Sequence, residues 1–208
     1  MRLRQISIGE HSFKIKADSS WEDLSNTFEK NDAHAFGMFM INLLLCHGVI
    51  PEYGKAENDV AYQSSSPDET AIVTALAQLE YKFIERIQGG AIVEINGVRQ
   101  SWKILTVLDF TSERKRMSLI AQSPDDEFYV FTKGADSVIS ERLSIKNDII
   151  FEATLGYLDS FARCGLRTLC MAYKQLSKLE YEKIVSDLNK AYSEIEQREQ
   201  YMEVVADQ

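Results

Sequence analysis

The residues with chemistry to offer lie in four short segments: Ser66-Pro67-Asp68-Glu69, then Phe110 with Ser112, Arg114, Lys115 and Arg116, then Lys133-Gly134, and last Gly165-Leu166-Arg167. An aromatic ring, cations at strand ends and a glycine that permits close approach can together receive a planar base and a polyphosphate. The ring would stack on the base and the cations would meet the phosphates. The same residues also suit a core aromatic, solvated turn charges and an arginine paired with one of the chain's many acids, and such features outnumber nucleotide pockets. Glu69 likewise has two readings. Its carboxylate can reach back to the amide of an N-cap Ser66 and complete a capping box, the commoner outcome, or accept a hydrogen bond from an adenine amino group. Asp136 reads as a cap near the start of a short helix.

What the chain lacks narrows the choice. It has no P-loop, no glycine-rich dinucleotide fingerprint after a strand, no Gly-x-Ser-x-Gly elbow and no His-Glu-x-x-His. His11, His34 and His47 have no partners at ligand spacing, so no metal site is expected, and His47 reads as a hydrogen-bonded core histidine. The three cysteines, Cys46, Cys164 and Cys170, show no CxxC spacing and fit a reducing compartment. A formal net charge of -9 argues against nucleic acid as a partner. The longest apolar run, Phe36 to Ile50, falls short of the ~20 residues that cross a bilayer, and the N-terminus carries no signal-peptide core. With 208 residues, 45% of them hydrophobic, one globular domain spanning 1–208 is expected.

The elements that must position these residues can be read from periodicity. Phe36, Phe39, Met40, Leu43, Leu44 and His47 share a helical face that Gly48 and Pro51 terminate. A second helix begins at Pro67, behind Ser66. Residues 91–132 change period: 91–95, the Asn96-Gly97 turn, 101–110, 116–122 and 127–132 read as antiparallel strands joined by short links. Phe110 and Lys133 are placed on adjacent strands. A short helix follows from about Ser137, then one bearing Phe151, Leu155, Leu158 and Phe161, a strand over 169–173, and a long helix from a Ser177/Glu180 capping box to about residue 203. The order predicts an α+β fold, an antiparallel β-sheet flanked by helices.

Five ordered segments resemble a known family. Leu45-Cys46-His47, Ser66-Pro67-Asp68-Glu69, Phe110-Thr111-Ser112-Glu113-Arg114-Lys115-Arg116-Met117-Ser118, Lys133-Gly134-Ala135-Asp136 and Gly165-Leu166-Arg167-Thr168-Leu169 are similar to the motifs of the nucleotide-binding domain of type IV P-type ATPases, the phospholipid flippases. Lys-Gly-Ala is common to P-type ATPases, whereas Asp136 resembles the flippase branch; cation pumps usually carry proline there. The resemblance implies that ATP is the ligand, with Phe110 stacking on adenine, Glu69 at its edge, Lys133 and Gly134 lining the pocket, Ser112 and Lys115 near the nucleotide, and Arg167 reaching its phosphates. Thr111 stands where asparagine is common, and Thr70-Ala71-Ile72 departs from the usual run.

The family's Asp-Lys-Thr-Gly-Thr, Thr-Gly-Glu and Gly-Asp-Gly-x-Asn-Asp segments do not occur here. The resemblance therefore implies a domain with no catalytic residue of its own. Residues 1–20 and 200–208 are expected near hinges to a phosphorylation domain, and the chain to resemble an insert that stops near Val204-Val205-Ala206. The implied partners are that phosphorylation domain, an actuator domain, a phospholipid substrate, and for the whole protein a membrane glycoprotein β subunit. Mg²⁺ would bind outside these residues, and the location would be the cytosolic face of a membrane. The alternatives are the same domain of a cation-transporting P-type ATPase and a non-catalytic interaction module using the long charged helix.

Overall fold

The computed structural model describes residues 1–54, 60–144 and 148–193. The predicted end of the last helix near 203 and the stop near 204–206 lie outside them. Six strands form the main sheet: β5 (Tyr81–Ile87), β6 (Gly90–Ile95), β7 (Val98–Leu108), β8 (Arg116–Gln122), β9 (Phe128–Gly134) and β10 (Cys170–Leu176). Their order is β10-β9-β8-β7-β6-β5. Every neighbouring pair is antiparallel. Asn96-Gly97 makes the β6–β7 turn as expected, with φ of 50° and 77°. Two short hairpins, β1 (Gln5–Ile8) with β2 (His11–Lys14) and β3 (Ile50–Tyr53) with β4 (Val60–Gln63), stand apart from the sheet.

Helix α1 (Trp21–Leu45) reaches back well before the predicted start at Phe36. Ser20 and Asp23 cap its first segment in a complete capping box. At Asp32 the backbone leaves helical geometry, and the Asp32 carboxylate accepts from Ala35 N at 2.8 Å, so a second segment starts with its own cap. Residues 40–47 are buried all round. Asn42 pins this stretch to the sheet, its Nδ2 donating to the Thr132 and Ala172 carbonyls of two paired strands.

Helix α2 (Pro67–Gln78) sits beside α1 and buries Ile72, Val73, Ala75 and Leu76. Together these helices cover one sheet face, where Phe28, Phe36, Leu44, Leu76, Phe83, Leu119 and Phe131 form the main core. Helix α5 (Lys178–Ser193) covers part of the other face through Leu188, Ile184 and Tyr181, the last stacked on Phe128 at 4.2 Å. Its Ser177/Glu180 capping box is present as expected. Between β9 and β10 lie α3 (Asp136–Arg142) and α4 (Ile149–Arg163). Asp136 is the first residue of α3 and, among the described residues, accepts only from Ser137 N, so it is not the cap the sequence indicated; Ala135 holds that position without a side-chain bond. Among the described residues no helix is long and apolar enough to cross a membrane.

Candidate functional site

Because the sheet is antiparallel, the end of β7, the start of β8, the end of β9 and the start of β10 fall at one sheet end. The register states it: Arg116 and Cys170 both pair with Gly134, and Met117 and Met171 both pair with Lys133. The N-terminus of α2 meets this end directly. Lys133 Nζ lies 2.7 Å from Glu69 Oε1, in a pair whose side chains are only 9% and 15% exposed.

Glu69 does not follow the capping-box expectation. Half of the box forms, with Ser66 Oγ accepting from Glu69 N at 3.4 Å, but the carboxylate turns away from the Ser66 amide. Glu69 Oε2 instead accepts from Gly48 N at 3.0 Å and from Ser64 Oγ at 3.2 Å. Burial pushes the carboxyl pKa up, but the charge and hydrogen bond of Lys133 and the Gly48 amide outweigh it and hold the group below its ordinary value. Glu69 is therefore an ionised acceptor near neutral pH.

The segment after β7 is an ordered turn. Thr111 Oγ1 accepts from Arg114 N, Thr111 O accepts from Lys115 N, and Arg114 Nη1 donates to Asp109 O at 2.8 Å. Arg114 and Arg116 are buried, contrary to their reading as solvated turn charges, while Ser112 and Lys115 remain exposed. Phe110 is 60% exposed, so the core-aromatic alternative fails for it. It lies two residues beyond β7, and β8 stands between β7 and β9; the expected placement of Phe110 and Lys133 on adjacent strands is incorrect.

Gly134 joins this turn to β9. A Cβ built on it would meet Lys115 O at 2.6 Å and Arg116 Cβ at 2.7 Å, and Ala135 N donates to Lys115 O at 3.0 Å. Its close approach is thus to a neighbouring strand of the protein itself. Gly165 serves the fold in another way. With φ 70° it ends α4 in a Schellman motif, Gly165 N bonding Ala162 O and Leu166 N bonding Phe161 O. The chain leaving that motif brings Arg167 to Asp68, Nη1 to Oδ2 at 3.1 Å, as the ion-pair alternative held.

The family described as "P-type ATPase, cytoplasmic domain N" matches residues 38–206 of this sequence. The chain belongs to the P-type ATPase family. Among curated relatives of this P-type ATPase domain, the phospholipid-transporting ATPase DRS2 of Saccharomyces cerevisiae is 39% identical over 226 residues, covering 99% of this chain and 17% of the relative. Phospholipid-transporting ATPase C887.12 of Schizosaccharomyces pombe is 38% identical, covering 84% of this chain and 14% of its own length. Phospholipid-transporting ATPase FetA of Mus musculus is 38% identical, with 81% and 14% covered. The chain therefore spans about one-seventh to one-sixth of these relatives.

Beneath the site, this domain N buries His47 and places Arg86 against it. His47 is 2% exposed; its Nδ1 accepts from Val49 N at 3.1 Å, and its ring stands perpendicular to Phe83. Burial, with the nearby Arg86 and Lys133 charges, pushes its pKa down to about 3, so it is a neutral core histidine, as expected. Arg86, from β5, donates to the Leu45 and His47 carbonyls at 3.2 and 2.8 Å and so caps the C-terminus of α1, whose last turn has no basic residue. This fixes the His47-Gly48 turn that presents an amide to Glu69. Arg86 lies far from the site motifs in sequence and in a strand that periodicity missed, so no local signal marked it. Ser64 and Gly48 escaped for a related reason, since a hydroxyl and a backbone amide turned toward Glu69 are set by tertiary contacts that no local spacing marks. Among the described residues no group of three His, Cys, Asp or Glu gathers to hold a metal ion.

Proposed function

We propose that this P-type ATPase domain binds ATP at the sheet end that carries Lys133, and that the whole protein uses the nucleotide to move phospholipid across a membrane. The observation that carries the reading is the largely buried Lys133–Glu69 pair at the same sheet end as an exposed Phe110. A solvent-facing surface gains little from an unsupported phenyl ring, whereas a purine stacked there would cover it. Glu69, ionised and restricted to accepting, matches the amino edge of adenine. Lys133 would pack its stem near the base, and Ser112, Lys115 and the Gly134 backbone would line the path toward the phosphates. Arg167 would reach the phosphate end and exchange its contact with Asp68 for one with the nucleotide. The two carboxylates of the site, Glu69 and Asp68, are already engaged by Lys133 and Arg167, and the other charged groups named are cationic, which does not suit Mg²⁺; the metal would accompany the phosphates through residues outside this chain.

In the family, a domain of this kind presents the γ-phosphate to an aspartate on a phosphorylation domain, and the aspartyl-phosphate cycle with an actuator domain drives transport. The names of the relatives and Asp136 favour phospholipid over a cation as the transported species. The reading further has the domain at the cytosolic face and a β subunit among the whole protein's partners. Titrating the ¹⁵N-labelled chain with ATP tests the reading. Saturable shifts are expected around Phe110, Lys133 and Gly48, with a dissociation constant of ~0.1–1 mM, about 4–5.5 kcal/mol, for a pocket open on one side. Lys133→Ala is expected to abolish most of that binding. A flat titration would reject the nucleotide pocket and favour an interaction module.

A further inference from the structure

The Ser66-x-x-Glu69 spacing spells a capping box, yet the structure gives the Ser66 amide to another residue. Ser66 N donates to Ser64 Oγ at 3.1 Å. A serine hydroxyl has one proton; with its oxygen accepting from Ser66, that proton is left for the ionised Glu69, which can only accept, and Ser64 Oγ lies 3.2 Å from Glu69 Oε2. Ser64 thus takes the place Glu69 would have in the cap and hands its proton to the displaced carboxylate. Gly48 N and Lys133 Nζ hold the same group from two other sides. Three donors occupy a carboxylate with about four acceptor positions, which leaves one for a ligand.

We propose that Ser64 is a positioning residue for nucleobase selectivity: it keeps Glu69 turned into the site, where the remaining acceptor position selects a base that carries an amino group. The proposal rests on the adenine pocket proposed above. Without the hydroxyl, the Ser66 amide is free and Glu69 is drawn back to the cap that its spacing spells. Helix α2 then keeps a full capping box while the site loses its acceptor. Stability and selectivity are therefore expected to separate, which a merely structural role for Ser64 would not produce.

The test compares the unmodified chain with Ser64→Ala and Ser64→Thr, titrated with ATP and with inosine triphosphate, whose base carries a carbonyl in place of the amino group. Ser64→Ala is expected to weaken ATP binding by about three- to ten-fold, the scale of one hydrogen bond, and to leave inosine triphosphate unchanged. Ser64→Thr, which keeps the hydroxyl, is expected to restore the preference. The Gly48 amide resonance should move in Ser64→Ala and not in Ser64→Thr, and the thermal midpoint should stay within a few degrees. An unchanged ATP-to-inosine preference in Ser64→Ala, or an unmoved Gly48 amide, would overturn the role of Ser64 while leaving the pocket in place. Loss of the fold in Ser64→Ala would also overturn it, because the recovered cap is meant to compensate. If the unmodified chain binds neither nucleotide, the pocket itself is wrong and this role falls with it.

Discussion

Phe110 and Arg167 carry opposite expectations although both are exposed. Phe110 contributes nothing to the core at 60% exposure, so Phe110→Ala should leave stability unchanged while weakening ATP binding by about 1–3 kcal/mol, the scale of base stacking on an aromatic ring. Arg167 already has Asp68 as a partner, and its 72% exposed side chain is screened by water; Arg167→Ala should cost less than about 1 kcal/mol. Calorimetric titration of both variants checks the contrast, and equal losses would contradict it. His47 supplies a pH signature. Above about pH 6.5 the imidazole is neutral in both folded and unfolded chains and contributes no pH dependence. Below it the unfolded chain takes up a proton that the folded chain refuses until about pH 3, so stability falls with acidification through that window, by up to about 1.4 kcal/mol per pH unit. His47→Gln should flatten the slope between pH 6.5 and 5 in urea melts; an unaltered slope would mean His47 is not the group responsible. At this scale the sequence named the side chains but not their neighbours. Glu69 and Lys133 sit 64 positions apart, and no spacing rule says that a carboxylate spelled as a cap will turn to a lysine on a distant strand.

Elements were legible where period and punctuation agreed. The Asn96-Gly97 hairpin, the start of α2 at Pro67 and the Ser177/Glu180 box follow from local chemistry and stand as read. Strand β5 was missed because Tyr81–Ile87 mixes Lys82, Glu85 and Arg86 with apolar residues, while its burial comes from β6 and the helices above it. The first half of α1 was missed because its charged stretch hides the few core contacts, Leu24 and Phe28, that anchor it. Gly134 shows how an element boundary can set a site. A methyl group there would lie 2.6 Å from a backbone carbonyl oxygen, which cannot rotate aside as a side chain could. Gly134→Ala should push the Lys115 turn off the end of β9 and cost about 1–3 kcal/mol by overpacking. Urea denaturation gives the loss, and the Ala135 amide, which donates to Lys115 O, should lose hydrogen-exchange protection with it. A stable variant with that amide still protected would show that the two strands have more room than these distances allow.

For the molecule as a whole, the α+β arrangement followed from the order of elements, but the joining of β10 to β9 did not, because residues 135–169 intervene and no sequence pattern names a strand's partner across such a gap. The absence of the family's Asp-Lys-Thr-Gly-Thr from this sequence leads to a further expectation: purified chain incubated with labelled ATP should release no phosphate above background and acquire no acid-stable label. ATP should bind as well with a chelator as with Mg²⁺, because the proposed pocket would offer cations to the phosphates. A strict Mg²⁺ requirement in calorimetry would contradict that expectation.

The late return of β10 bears on the time order in which the chain assembles. Strands β5 to β9 follow one another through short turns and can zip together locally, whereas β10 must wait for a loop of residues 135–169 to close, at an entropic cost that grows with the logarithm of its length. The proposed site spans both parts, since Lys133 belongs to the local meander and Arg167 arrives with β10. Nucleotide affinity should therefore be acquired in two steps during refolding, base recognition first and the phosphate contact afterwards. Pulsed hydrogen exchange would register this as amides of Gly90–Ile95 and Arg116–Gln122 gaining protection before those of Cys170–Leu176, and simultaneous protection of all three would refute the sequence of events.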